Sequence, residues 1–247
     1  LGADTIGISG VTATMIAFAI TGAWWFFVTL PLLKNYQQTH WIEVSDTPVR
    51  DSFVRLGNVL THIGKNKKVL FFLIAFFFYI DGVYTIIDLA TSYGKDVGIS
   101  DTHLLLALLL TQVVAFPCSI LFARFSKRFK SENLIMISIL GYLGIALFAL
   151  QLDKAWEFWF LAVCVAVFQG AIQALSRSYF AKIIPKEKSS EYFGFYDIFG
   201  KGAAFMGTML MGISTQLSGS SKTGVFMLAL MFVVVLIAFR KTTKIEG

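Results

Sequence analysis

Phe76-Phe77-Phe78-Tyr79-Ile80-Asp81-Gly82 lies near the middle of an apolar run spanning 69–91. At 1.5 Å per residue, a helix over that run crosses a bilayer core of about 30 Å. An aspartate at that depth costs about 2.5–3.5 kcal/mol on insertion scales, so it is retained for a reason. Lipid-facing placement is untenable for it. Asp81 therefore has to face a neighbouring helix or a water-filled cavity, and the run reads as one helix of a polytopic membrane bundle.

The rest of the chain agrees. It has 247 residues, 56% hydrophobic and 15% charged, with a mean hydropathy of +0.71. Soluble domains are about 45–50% apolar and about 25% charged. This composition excludes a disordered chain, a disulfide-rich secreted domain and almost any soluble enzyme. Six further apolar runs flank the first, at 11–33, 103–123, 134–151, 157–181, 192–216 and 223–239. The runs at 134–151 and 223–239 are short, so flanking residues or bilayer thinning must compensate. None alternates with the period of a barrel strand, so the class is all-α.

The net charge of +6 is explained by topology. Lys34, Arg50, Arg55, Lys65, Lys67, Lys68, Arg124, Lys127, Arg128, Lys130, Lys182, Lys186, Lys188, Arg240, Lys241 and Lys244 fall in alternate loops and the tail. These are 16 of the 21 basic residues, against Lys95, Lys154 and Lys222 on the other side. The positive-inside rule then predicts a cytoplasmic C-terminus and Leu1 outside, with no basic surface left over for nucleic acid. Leu1 stands where a methionine would open a chain and no signal peptide is visible, so the expectation is a fragment.

The spans are unevenly connected. A loop at 34–68 follows the first span, and six compact spans follow that loop. Within it Val49, Phe53, Leu56, Leu60 and Ile63 recur at helical spacing. Asp46 or Thr47 can cap this helix, and Pro48 suits its first turn. It reads either as an amphipathic helix on the inner interface or as a packing helix over the mouth of the bundle.

Polar residues inside the spans are the candidate site. Asp81, Thr85 and Asp88 share one helix face. Asp81 suits proton coupling; the alternatives are a structural hydrogen bond to a neighbouring helix or a buried pair with a cation. Asp88 is near the outer end and could simply be solvated. Gln169, Gln173 and Arg177, spaced by four, form a polar stripe along the 157–181 span. They suit a cavity wall, but amides also join helices and Arg177 is close enough to the end to snorkel. In the 192–216 span, Tyr196 precedes Asp197 and Lys201, whose i, i+4 spacing predicts a mutual ion pair, structural or at a gate. Gly200, Gly202, Ala203, Ala204 and Gly207 permit close helix contact there.

Motifs for other chemistry are missing. There is no phosphate-binding loop, nucleophile elbow or H-E-x-x-H. Cys118 and Cys164 lack a CxxC partner, and His40, His62 and His103 lack ligand spacing. No metal, cofactor or enzyme activity is expected.

These residues resemble a known family. Ala23-Trp24-Trp25 to Pro31-Leu32-Leu33, Phe78-Tyr79-Ile80-Asp81-Gly82-Val83-Tyr84-Thr85, Gln112-Val113-Val114-Ala115-Phe116-Pro117, Gln173-Ala174-Leu175-Ser176-Arg177-Ser178 and Phe193-Gly194-Phe195-Tyr196-Asp197 with Gly200-Lys201 carry the likeness. They resemble the vacuole-effluxer-like branch of the major facilitator superfamily, related to autophagy amino-acid effluxers. The resemblance implies a final helix of the N-terminal half at 1–33, a central cytoplasmic loop at 34–68, and the six-helix C-terminal half at 69–247. It implies a secondary transporter in a bacterial inner membrane, moving a small solute, with amino acids favoured, by alternating access. Its partners would be that solute, the lipid bilayer and the N-terminal half of the same chain. Asp81, Tyr79, Thr85, Gln169, Gln173, Arg177, Tyr196, Asp197 and Lys201 are the substrate-binding or coupling candidates. One departure stands out. The superfamily's G-R-L-x-D-R-x-G loop is replaced by Ala123-Arg124-Phe125-Ser126-Lys127-Arg128-Phe129-Lys130, without the glycines or the acid. A complete seven-helix receptor, or a membrane scaffold without transport, is the competing expectation. For a retinal receptor, 223–239 lacks the needed lysine.

Overall fold

The computed structural model describes residues 7, 9–37 and 47–243; His40, Asp46 and Lys244 lie outside them. Eight α-helices are seen there: α1 (Gly10–Asn35), α2 (Pro48–Lys65), α3 (Lys67–Asp96), α4 (Asp101–Phe125), α5 (Ser131–Ala149), α6 (Ala155–Ile183), α7 (Ser189–Ser218) and α8 (Ser221–Thr242). A short 3-10 turn at Lys186–Lys188 leads into α7. The chain divides into two compact units at Asp51 and Ser52.

In the first unit, α1 has no buried residue. Ser9 caps it by accepting from the Thr12 N–H at 3.2 Å. The hydroxyls of Thr14, Thr21 and Thr29 donate back to the carbonyls of Gly10, Ala17 and Trp25. These three hydroxyls are thus satisfied within the helix, the condition for standing against lipid.

The second unit is a bundle centred on α3. Phe72, Leu73, Phe76, Tyr79, Ile80 and Val83 of that helix are buried. Phe76 stacks on Tyr196, and Asp81 meets Gly207, so α3 and α7 run in the same direction. Phe72 stacks on Phe180 while Tyr79 bonds Ser176, so α6 runs opposite to α3. The same holds for α8, whose Phe239 meets Tyr79 and whose Phe232 lies against Gly82. Lipid offers no hydrophobic drive for helices to associate, so close backbone approach has to do it. Gly224 of α8 is such a point: a Cβ there would stand 3.2 Å from the Met211 carbonyl oxygen of α7 and 3.3 Å from the Met211 Cα.

Six of these helices are long and apolar enough to cross a membrane: α1, α3, α4, α5, α6 and α8. The protein is an all-α, multi-pass membrane protein. The hydropathy pattern predicts a further span at 192–216, and α7 is the helix that covers it. α7 spans 30 residues but does not reach that apolarity, because Glu191, Asp197, Lys201 and several Ser and Thr residues dilute it. It is nonetheless an integral member of the bundle. Tyr192, Tyr196, Gly200, Ala203, Gly207 and Met211 form its buried face at spacings of three and four.

The predicted loop helix is present as α2. Its predicted apolar stripe divides: Ile63 is buried and Leu56 packs on the core, joined by Val59, whereas Val49, Phe53 and Leu60 stay exposed. Thr47 does stand at its start, with its hydroxyl 3.4 Å from Asp51.

Candidate functional site

α3, α6 and α7 enclose an open cavity of about 620 Å³. From α3, Phe76, Ile80 and Tyr84 face it; from α6, Gly170, Gln173, Ala174 and Arg177; from α7, Tyr196, Asp197, Gly200, Lys201 and Ala204. Five of the nine candidates therefore meet in one place: Gln173, Arg177, Tyr196, Asp197 and Lys201.

The charges there are arranged across helices. Arg177 Nη1 donates to Asp197 Oδ1 at 3.3 Å. The guanidinium also lies 4.8 Å from the centre of the Phe193 ring and 5.9 Å from that of Tyr196. Tyr196 is itself fixed by stacking on Phe76 at 4.1 Å. The spacing of Asp197 and Lys201 predicts that they pair with each other, but the structure turns Asp197 to Arg177 instead. A planar guanidinium held over two rings is pre-organised for a carboxylate, which a flexible ammonium is not. Lys201 lines the same cavity and has no ion pair among the described residues. Both members of the Arg177–Asp197 pair are about half exposed, so its contribution to stability is only about 0–1 kcal/mol. Its chemical use is to present one anion and two cations to a common space.

Asp81 is placed elsewhere. It is fully buried, and its Oδ1 accepts from the Gly207 N–H of α7 at 2.6 Å. Ile80 and Tyr84 occupy the cavity face of α3, and Asp81 and Thr85 lie about 100° round the helix from them. The hydrogen bond to a neighbouring helix is the arrangement seen, and Asp81 does not line the cavity with Gln173. Asp81 Oδ2 and Thr85 Oγ1 are both buried without a hydrogen-bond partner. Thr85 and Gln169 meet in a second, smaller cavity of about 110 Å³, walled by apolar residues such as Ile86, Leu108, Phe158 and Val165. Asp88 is exposed. Tyr79 sits in the core, with its hydroxyl 2.6 Å from Ser176 Oγ. Tyr79→Phe should cost about 1 kcal/mol of stability, read as a lower unfolding temperature, while solute flux stays unchanged. A large flux loss at undiminished stability would place Tyr79 in the site instead.

A family model described as "Vacuole effluxer Atg22 like" matches residues 4–244. The chain belongs to the Atg22-like vacuole effluxer family. It is 44% identical over 96% of its length to the uncharacterized MFS-type transporter YxiO of Bacillus subtilis, of which it covers 56%. It is 26% identical to autophagy-related protein 22 of Eremothecium gossypii, covering 94% of this chain and 50% of that one. With the Saccharomyces cerevisiae protein of the same name it shares 27%, over 81% of this chain and 45% of the relative. The chain thus spans about half the length of the curated relatives it matches. Membership of an Atg22-like family speaks against the seven-helix receptor.

Three contributors to the site of this Atg22-like chain were not legible as such. Phe193 supports Arg177, Tyr84 lines the cavity, and the Gly207 N–H donates to Asp81. Tyr84 and Phe193 stand inside the segments that carry the family likeness, and Gly207 in the run of small residues. Nothing in the spacing marks which of these touches which.

Proposed function

We propose that the full-length protein is a secondary transporter that moves a small zwitterionic solute, amino acids foremost, by alternating access across a bacterial cell membrane. In this reading residues 1–33 end the first half, 34–68 form the central cytoplasmic loop with α2, 69–247 form the second half, and the C-terminus is cytoplasmic. The observation that carries it is the cavity between α3, α6 and α7. There the carboxylate of Asp197, the guanidinium of Arg177 and the ammonium of Lys201 face one space within a largely apolar bundle. A solute with both an ammonium and a carboxylate complements that set, and Gln173 adds neutral hydrogen bonding. The family's MFS-type and Atg22 members support the transport reading.

Coupling to protons is assigned to Asp81. Its Oδ2 has no partner, so protonation there would let it donate to Thr85 and alter the α3–α7 contact. The test is flux of radiolabelled amino acids in proteoliposomes, with and without a pH gradient. Asp81→Asn should keep exchange down a solute gradient and lose gradient-driven accumulation. Equal gradient-driven flux in Asp81→Asn and wild type would sink the coupling role. Absence of amino-acid flux in wild type would sink the substrate class.

A further inference from the structure

α2 has three distinct faces. Leu56, Val59 and Ile63 are set against the bundle core. Phe53 and Leu60 lie beside that stripe and remain exposed, at 70% and 53%. Val54 points to the remaining side, and Lys65 ends the helix next to Lys67 and Lys68. A helix in water gains nothing by leaving a phenylalanine and a leucine uncovered next to a stripe that is already buried.

Two observations indicate what covers them. Only Asn66 separates α2 from α3, and it serves both helices. Its N–H bonds the His62 carbonyl at 3.0 Å, and its side chain accepts from the Val69 N–H at 3.2 Å. Since α3 is a membrane-crossing helix that begins at Lys67, the end of α2 is held at the bilayer boundary. The charge there is also one-sided. Between 48 and 80 the chain has Arg50, Arg55, Lys65, Lys67 and Lys68 against the single acid Asp51.

We propose that α2 is an anionic-lipid-binding helix: Phe53 and Leu60 insert beneath the headgroups, and Lys65, Lys67 and Lys68 hold phospholipid phosphates beside them. This is the distribution of an interfacial amphipathic helix, with an apolar flank in the acyl boundary and a basic margin at the surface. It is independent of which solute the protein carries.

The full-length protein, with its native cysteines replaced, is to be spin-labelled at Phe53→Cys, Leu60→Cys or Val54→Cys. Each sample goes into nanodiscs of phosphatidylcholine alone or with three-tenths phosphatidylglycerol. Power saturation then compares access of oxygen, which enriches in acyl chains, with access of a water-soluble nickel chelate. At 53 and 60 oxygen access should exceed nickel access, and more so with phosphatidylglycerol; at 54 nickel access should dominate. The Lys65→Gln/Lys67→Gln/Lys68→Gln variant should remove the dependence on phosphatidylglycerol. So should 1 M salt on the unaltered lysines, which shortens the screening length to about 3 Å. Nickel-accessible labels at 53 and 60 would overturn the proposal, leaving the face in water. Labels shielded from both reagents would overturn it by showing that the rest of the protein covers the face. Identical depth in both lipids, or depth indifferent to salt and to the lysines, would overturn the headgroup assignment.

Discussion

Gly207→Ala is expected to destabilise the second unit markedly. A Cβ there would press on the Thr85 hydroxyl and stand 2.8 and 2.9 Å from the two carboxylate oxygens of Asp81. Both groups are fully buried on the same face of α3, so room for a methyl has to come from turning the Thr85 hydroxyl toward the smaller cavity or from parting the helices. The carboxylate of Asp81 is the other obstacle, and displacing it strains the Asp81–Gly207 hydrogen bond. Overpacking of this kind costs about 1–3 kcal/mol, and the strained bond to a charged acceptor adds about 1.5–3 kcal/mol. Thermal unfolding in detergent should show a marked drop. The nearest obstruction is the Thr85 hydroxyl, which has no hydrogen bond to lose. Thr85→Ala alone should therefore be close to neutral, and Thr85→Ala with Gly207→Ala should recover part of the loss. An unchanged unfolding temperature in Gly207→Ala would refute the close approach.

Arg177→Ala should reduce transport about 10–100-fold in kcat/KM, on the reading of the cavity given above. A charge-assisted hydrogen bond to a solute carboxylate is worth about 1.5–3 kcal/mol, and every 1.4 kcal/mol is tenfold. Arg177→Lys should fall between, since it keeps the charge but not the planar group above Phe193. Stability should hardly respond, because the pair with Asp197 is half exposed. Wild-type kcat/KM in Arg177→Ala would remove this cavity from the transport path. A stability loss matching the flux loss would make the pair a structural tie.

Much of the fold was legible because depth in a bilayer is written in composition. The runs at 11–33 and 69–91 correspond to α1 and α3, and the spacing of apolar residues after Pro48 to α2. What composition does not encode is the direction in which each face turns. Asp81 and Ile80 are neighbours in sequence, yet one meets α7 and the other the cavity. Asp197 had a suitable cation one turn along its own helix and took the one across the groove. α7 reads as marginal because hydropathy counts Asp197 at full cost, although Arg177 of α6 pairs with it. Helical periodicity groups Gln169 with Gln173 and Arg177, but the cavities they line are different ones.

The satisfied hydroxyls of α1 and the dependence of Asp81 on α7 bear on how the protein is made. α1 needs no partner for its threonines, so it can pass from the insertion machinery into lipid as soon as it is synthesised. α3 cannot do so on the same terms. The N–H that donates to its carboxylate lies 126 residues further along the chain. At about 5–20 residues per second, Asp81 waits roughly 6–25 s for it. During that interval α3 has to be kept beside the translocation channel or a chaperone, and slowing synthesis between the two helices should expose it to quality-control proteolysis.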